Sequence, residues 1–519
     1  MSAASAVTTS PTSARERRKV AFAAVIGTTI EWYDYFVYAA AAGLIFGQLF
    51  FEPAGAQFAV IISFASVGIS FLFRPLGAFL AGHYGDKLGR RFILVVTLIG
   101  MGAATVLIGL LPTYETIGLA APLLLIGLRI LQGISAGGEW GGAVLMAVEH
   151  APSHRRGLFG AMPQIGVPFG LLLASAMMAI MTAIFPGDAF LQWGWRIPFL
   201  FSIVLVGVGY WIRRSVEESP VFAEIAERRE QASAPVVSLF ARYAPLVLLA
   251  ACVFAGNSAV GYMTTGGYVQ HYATDAEGPV ALPPGPVLWA VTISSVTWLL
   301  ATFVAGWVSD HLGRKNTYLL GWVLQGAAVV ALFPLVNTAS VGMLILALVL
   351  LTIGLGLTYG PQAAWYTELF PASVRFSGVS ISYALGSIIG GAFAPMIAKA
   401  IQQATHSSTG VTYYLLGMTA LGLIATLLLR DRRGIDLSPN AEEEQTRGIY
   451  VGSHHRTGPH TPARKAAPAS GAASGEVTAA STPASGRAAP ASGAGPDTTD
   501  HATTDYATTN PDRLGTAGR

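Results

Sequence analysis

Two carboxylates interrupt the first long apolar run of the chain, in Glu31-Trp32-Tyr33-Asp34-Tyr35. Ionisable groups are expensive inside a membrane-length apolar segment, so each is taken first as functional. Glu31 lies about 12 residues beyond Lys19, roughly 18 Å along a helix, which sets it near the middle of a bilayer. Asp34, three residues on, falls on a neighbouring face. A carboxyl in a low-dielectric cavity binds a proton more readily than one in water, and an adjacent cation cancels that effect. This is the chemistry of a proton carrier gated by a movable cation. The competing reading is a static salt bridge from Glu31 or Asp34 to Arg74 or Arg129 that serves packing alone.

Arg129, Gln132 and Glu139 form a second group, within an arc of roughly 80° on an unbroken helix. A guanidinium fork pairs with a carboxylate in two-pronged geometry. Arg129 can therefore hold an organic acid or alternate between that acid and Glu139; a fixed Arg129–Glu139 or Arg129–Asp34 bridge has equal standing. Glu139 thus joins Glu31 and Asp34 as a proton-coupling candidate. The polar candidates for a substrate cavity are Arg129, Gln132 and Gln164, then Asn257, Tyr262, Tyr359 and Gln362. Thr264, Thr265, Tyr268, Thr297, Trp298, Trp365 and Tyr366 lie beside them. Taken singly, each fits a satisfied core group or an interfacial aromatic as well.

The elements that must position these groups are doubled. Gly82-His-Tyr-Gly-Asp86-Lys-Leu-Gly89-Arg90-Arg91 returns as Gly306-Trp-Val-Ser-Asp310-His-Leu-Gly313-Arg314-Lys315. Glu149-x-x-Pro152-x-x-x-Arg156 returns as Glu368-x-x-Pro371-x-x-x-Arg375. Both pairs stand roughly 220 residues apart, the mark of a repeated unit. The stripe Gly133, Gly137, Gly141 gives a helix face that a neighbour can approach closely.

Of 519 residues, 53% are hydrophobic and 11% charged, against roughly 25% charged in a soluble domain. Mean hydropathy is +0.54. Apolar windows give twelve spans, near 20–48, 58–81, 92–111, 118–147, 157–185 and 194–212, then 243–271, 286–308, 316–336, 340–362, 376–400 and 410–430. The expected organisation is an all-α membrane protein: an N-terminal segment 1–19, a six-helix bundle 20–212, a charged linker 213–242, a second bundle 243–430 and a tail 431–519. The tail turns to Ala, Ser, Thr, Pro and Gly without apolar periodicity, so it is expected to be disordered, and loss of 435–519 to leave transport intact. Lys and Arg cluster at Arg15–Lys19, Lys87–Arg91, Arg155–Arg156, Arg213–Arg214, Arg314–Lys315 and Arg430–Arg433. The positive-inside rule then puts both termini and the linker in the cytoplasm. The single cysteine, Cys252, excludes an intrachain disulfide. No metal-ligand set, nucleophile–base pair or phosphate loop is legible, so neither an enzyme nor a resident cofactor or metal is expected.

Together these features resemble the major facilitator superfamily, and more closely its metabolite:proton symporters. The resemblance rests on Glu31-Trp-Tyr-Asp34-Tyr, Phe73-Arg74-Pro75-Leu-Gly77, Arg129-x-x-Gln132-Gly133 with Gly137-Gly138-Glu139, Gln164-x-Gly166-x-x-x-Gly170, Glu217-Glu218-Ser219-Pro220 and the two repeated loops. It covers about Lys19 to Arg433. It implies two pseudo-symmetric six-helix bundles that rock about a midplane site, and proton-driven uptake of an organic acid such as shikimate or 2-oxoglutarate, or of a zwitterionic osmolyte. The expected partners are a small molecule, protons and the lipid bilayer, with no nucleic acid; the working unit is expected to be a monomer in the inner membrane. The resemblance also makes Gly82, Asp86, Gly89, Arg90, Asp310, Gly313, Arg314, Glu149, Arg156, Glu368 and Arg375 a set of gating contacts. Asp86 can accept helix amides and pair with Arg90, while Glu149 and Glu368 hold the loop arginines of their own halves. An exporter or uniporter on the same scaffold is the alternative within the class; a non-transporting nutrient sensor is the alternative outside it.

Overall fold

Long apolar runs satisfy their backbone polar groups internally by coiling as helices, and twelve of them cross the membrane layer here. The computed structural model describes residues 14–88, 90–137, 139–215, 235–265 and 267–451; the side chains of 14–21, 23, 56, 57, 79, 81–94, 139, 212–238 and 264–266 fall outside that description. The spanning helices are α1 (Ala14–Ala41, extended to Phe50), α2 (Ala56–Leu88), α3 (Arg90–Leu110), α4 (Ala120–Ala136 and Glu139–Glu149), α5 (Arg156–Ile184) and α6 (Arg196–Ser215). The second half repeats them as α7 (Pro235–Thr265, continued by Tyr268–Thr274), α8 (Pro284–Leu312), α9 (Arg314–Val336), α10 (Val341–Tyr359 and Gln362–Leu369), α11 (Arg375–Thr405) and α12 (Thr409–Leu428). Among the described residues, ten helices are long and apolar enough to cross a bilayer by themselves. The first helix begins at Ala14, inside the segment expected to precede it, and α7 begins at Pro235, inside the expected linker; residues 216–234 lie outside the description.

The pairing of helices shows the doubling. In the first half α1 packs on α5, α2 on α4 and α3 on α6; in the second α7 packs on α11, α8 on α10 and α9 on α12. The halves meet along α5–α8 and α2–α11, which the same pseudo-symmetry exchanges. Glycine allows the closest approaches: a Cβ at Gly133 would strike the backbone of Ser70, and one at Gly390 that of Ala255. At one such contact, in α4, the helix is interrupted. Ala136 ends the first segment, and Gly137 is extended (φ −70°, ψ 124°) against the backbone of Arg74 and Ala78.

The tail corrects the sequence expectation. Residues 429–451 are ordered: Leu429 bridges to Tyr450, Pro439–Ala441 and Glu442–Thr446 are helical, and Leu437 and Ile449 are buried. Sparse apolar residues suffice here because arginines of the bundle supply the hydrogen bonds. Residues 452–519 lie outside the described residues.

Candidate functional site

The two carboxylates of α1 meet different partners. Glu31 Oε1 lies 3.4 Å from Arg74 Nη2 of α2, both largely buried. The Arg74 guanidinium also lies 4.5 Å from the Phe71 ring centre and 5.3 Å from that of Trp32, contacts worth about 1–2 kcal/mol when desolvated. Asp34, by contrast, makes no ion pair among the described residues, although it is 1% exposed. Ser202 Oγ of α6 donates to its Oδ1 at 2.5 Å, and the Thr105 hydroxyl of α3 is its other polar neighbour.

Thr105 links Asp34 to Arg129. Gln132 Nε2 donates to Thr105 Oγ1 at 2.7 Å, and Arg129 Nη1 donates to Gln132 Oε1 at 2.7 Å. The rest of the Arg129 fork is turned into α2: Nε donates to Ser66 O at 3.3 Å, and Nη2 to Val67 O at 2.7 Å and Ser70 Oγ at 2.9 Å. Its guanidinium covers the Tyr38 ring at 3.9 Å. The proposed Arg129–Asp34 bridge is therefore absent; neutral acceptors fill the fork. The Glu139 side chain lies outside the described residues, and the break at Gly137 removes the unbroken helix on which its common arc with Arg129 rested.

Two small cavities lie in this region, of which the first is lined by the Glu31–Arg74 pair. One, of about 10 Å³, is lined by Glu31, Asp34, Tyr35, Arg74, Arg129 and Gln132 among others. The other, of about 20 Å³, lies between the halves and is lined by Trp32, Phe254, Asn257, Tyr262, Trp298, Tyr359 and Tyr383 among others. Each has room for roughly one water molecule. Buried polar atoms crowd this region: Trp32 Nε1, Tyr35 Oη, Ser258 Oγ, Tyr262 Oη and Trp298 Nε1 have no hydrogen-bond partner among the described residues. Buried polar groups in native proteins are normally paired, so this set asks for a ligand with several acceptors. Asn257 lines the cavity but is fixed, donating to Thr358 Oγ1 at 2.6 Å and Leu355 O at 3.2 Å.

Gln164 and Gln362 sit off the cavity, tying the halves together. Gln164 Oε1 accepts from Trp140 Nε1 at 2.9 Å, while its Nε2 reaches Tyr359 O at 3.3 Å and Gln362 Oε1 at 3.5 Å. The Trp140 ring of α4 in turn stacks on Tyr383 of α11 (3.6 Å, 13°), whose other face meets Phe254 (4.3 Å, 17°).

The two halves touch at both ends of the bundle. At the end bearing the linker, Asp310 accepts from Gly157 N at 2.7 Å and Leu158 N at 2.9 Å, capping α5 from the other half, and pairs with Arg314 at 2.7 Å. Glu368 receives Arg314 Nε and Nη2 at 3.1 and 3.2 Å and approaches Arg156 at 3.9 Å; Glu149 pairs with Arg375 at 3.1 Å. Glu149 thus holds an arginine of the opposite half, which corrects the expectation of an own-half partner. Gly313 takes φ +99° between α8 and α9, a conformation that favours glycine. Gly89 and the side chains of Asp86 and Arg90, with the surroundings of Gly82, lie outside the described residues. At the far end, His271 Nδ1 meets Gly43 O at 3.1 Å, and a Cβ on Gly43 would strike the Gly267 carbonyl.

Sequence reasoning named Arg74 only as a packing partner and missed Trp140 and Tyr383. An arginine inside an apolar span was a usable signal for the first; nothing local marks the other two, whose partners come from the opposite half.

Comparison with known proteins agrees with this architecture. The Major Facilitator Superfamily model matches residues 21–395 and 282–478. The chain is 39% identical over 421 residues to the inner membrane metabolite transport protein YhjE of Escherichia coli K12, covering 80% of this chain and 95% of that one. It is 34% identical over 420 residues to the shikimate transporter of the same organism (80% and 94% covered). It is 30% identical over 453 residues to the glycine betaine/proline/ectoine/pipecolic acid transporter OusA of Dickeya dadantii (84% and 89% covered). Among solved structures the fold matches the proton:xylose symporter XylE with a TM-score of 0.65 at 18% identity, over 83% of this chain and 99% of that one. These relatives are transporters of small molecules, not enzymes. The chain belongs to the Major Facilitator Superfamily and is a multi-pass membrane transporter.

Proposed function

We propose that this transporter is a proton-coupled symporter that takes up a small carboxylate-bearing metabolite by alternating access. The observation that carries the reading is the buried Glu31–Arg74 pair, which lines the smaller cavity while Arg74 faces Trp32, a residue of the aromatic one. In the empty site the pair is neutral. A substrate carboxylate entering the cavity competes for the Arg74 fork; Glu31, losing its counter-charge in a water-poor site, takes up a proton. The loaded site, with Arg74 cationic, substrate anionic and Glu31 neutral, again has no net charge. A proton without substrate, or substrate without a proton, leaves a buried net charge that resists closure. Asp34, without an ion partner among the described residues, is a second proton-holding group linked to Arg129 through Thr105 and Gln132. The surplus of unpaired indole and phenol groups around the cavity suits a hydroxylated ring acid better than a methylated ammonium, which offers no acceptor on its cationic end.

Charge placement supports a cytoplasmic linker end; with an inward proton gradient as the energy source, the coupled solute would move into the cell. The reading invokes no cofactor and takes a monomer in the inner membrane as the unit. The test is uptake by the purified protein in liposomes with an imposed inward proton gradient, using shikimate, 2-oxoglutarate, proline and betaine. Accumulation of a ring acid above equilibrium with proton entry supports the reading; gradient-independent equilibration of every solute would sink it.

A further inference from the structure

The chain beyond α12 turns back on the bundle. Arg430 N donates to Ile449 O at 3.0 Å and Val451 N to Leu428 O at 2.9 Å, so 430–451 leaves and returns to the same point. Buried Arg432 closes the loop on itself, donating to the carbonyls of Gln445 at 2.5 Å, Glu444 at 2.9 Å and Arg447 at 3.1 Å. Gln445 is 1% exposed and uses its whole hydrogen-bonding capacity. Its Oε1 accepts from Ala372 N at 2.8 Å and Arg375 Nη2 at 3.0 Å; its Nε2 donates to Asp436 O at 2.7 Å and Ser438 O at 2.8 Å. Leu437 O accepts from Arg375 Nη1 at 3.0 Å. Ile435 O accepts from Arg156 Nη1 of the first half at 2.6 Å.

We propose that residues 430–451 form a strap in which Gln445 is a positioning residue, holding Arg375 in line with Glu149 and thereby setting how readily the linker end opens. The inference rests on the alternating-access reading above. A partly exposed ion pair contributes little when a long side chain must be ordered to make it. Here Arg375 is already ordered: Gln445, Leu437 O and Phe370 O take its Nη2, Nη1 and Nε before Glu149, 27% exposed, completes the set at 3.1 Å. Pre-ordering of this kind strengthens a contact by removing its entropic cost. The strap therefore converts a weak pair between halves into a latch, and adds the Ile435–Arg156 contact directly.

The test uses the full chain with Cys252→Ser and a reporter, Ala363→Cys. Ala363 is buried where α10 meets Gly160 of α5, so it becomes reactive only when the linker end opens. Alkylation by a membrane-impermeant maleimide is measured in inverted vesicles. Gln445→Ala is expected to raise the rate about three- to tenfold, the scale of one or two lost hydrogen bonds; Gln445→Met, closer in size, carries the same expectation should the alanine variant fail to reach the membrane. In a Glu149→Gln background the same change is expected to add less than twofold, because Gln445 acts through that pair. Truncation after residue 451 keeps the strap and should label at the parent rate. An unchanged rate in Gln445→Ala, a full additive effect on Glu149→Gln, or a rise on truncation after 451 would each overturn the proposal. None of these readouts needs the substrate, so they separate failure of the strap from failure of the symport reading.

Discussion

Asp310 of α8 accepts the backbone amides of Gly157 and Leu158 at 2.7 and 2.9 Å, so a carboxylate from one half caps the first turn of a helix from the other. The free amides of a helix start carry partial positive charge, and the contact joins the two halves at the linker end. Arg314, at 2.7 Å, fixes the carboxylate in place. An element of the repeated loop motif therefore bridges the two bundles through contacts between a carboxylate and helix amides.

Asp310→Asn removes the charge and leaves a single acceptor. The closed linker end should lose about 1–2 kcal/mol, and alkylation of the Ala363→Cys reporter should rise roughly five- to thirtyfold. A parent-like rate would show that the cap does not govern opening.

Arg74 and Arg129 should separate under the same conservative change. Arg74→Lys, losing the fork beside the cavity, is expected to raise the apparent KM for a carboxylate substrate about tenfold or more with the protein still stable. Arg129→Lys, which strips bonds to Ser66 O, Val67 O and Ser70, is expected to lower stability by about 1–3 kcal/mol with KM little changed. Thermal unfolding and uptake kinetics on both variants decide it; the reverse pattern would return the substrate role to Arg129.

Glu31→Gln fixes the partner of Arg74 in an uncharged form. Accumulation driven by a proton gradient should vanish, while exchange of substrate across the membrane continues. For Asp34→Asn, whose parent group makes no ion pair, the expected result is loss of accumulation with stability retained or raised, since a buried carboxylate is replaced by an amide. Full gradient-driven accumulation in both variants would remove the coupling assignment.

Trp140→Ala takes away one face of the Tyr383 sandwich, a contact worth about 0.5–1.5 kcal/mol beyond the buried area. Weaker closure beneath the cavity should uncouple transport, seen as proton entry without substrate in liposomes; Trp140→Phe should restore most of the seal. Proton flux in Trp140→Ala equal to that of the parent would mean the stack is packing alone.

Much of this protein was legible in one dimension. Apolar run length, the repeated Gly-x-x-x-Asp-x-x-Gly-Arg loops and the spans themselves determine twelve helices in two related bundles, because a bilayer leaves each run a single way to satisfy its backbone. Glu31 and Asp34 were found the same way, as charges where charges are costly. The sequence could not say that Glu31 takes Arg74 while Asp34 takes Ser202, that Arg129 is spent on the carbonyls of α2, or that Glu149 belongs to Arg375. Those choices depend on how α2, α4, α6 and α11 are rotated and broken, and Gly137 alone undoes a face drawn on an ideal helix. The strap was hidden for a related reason: a segment poor in apolar residues has no periodicity to detect, and its order comes from hydrogen bonds to Arg156, Arg375 and the loop at Ala372, groups that only the folded bundles bring within reach.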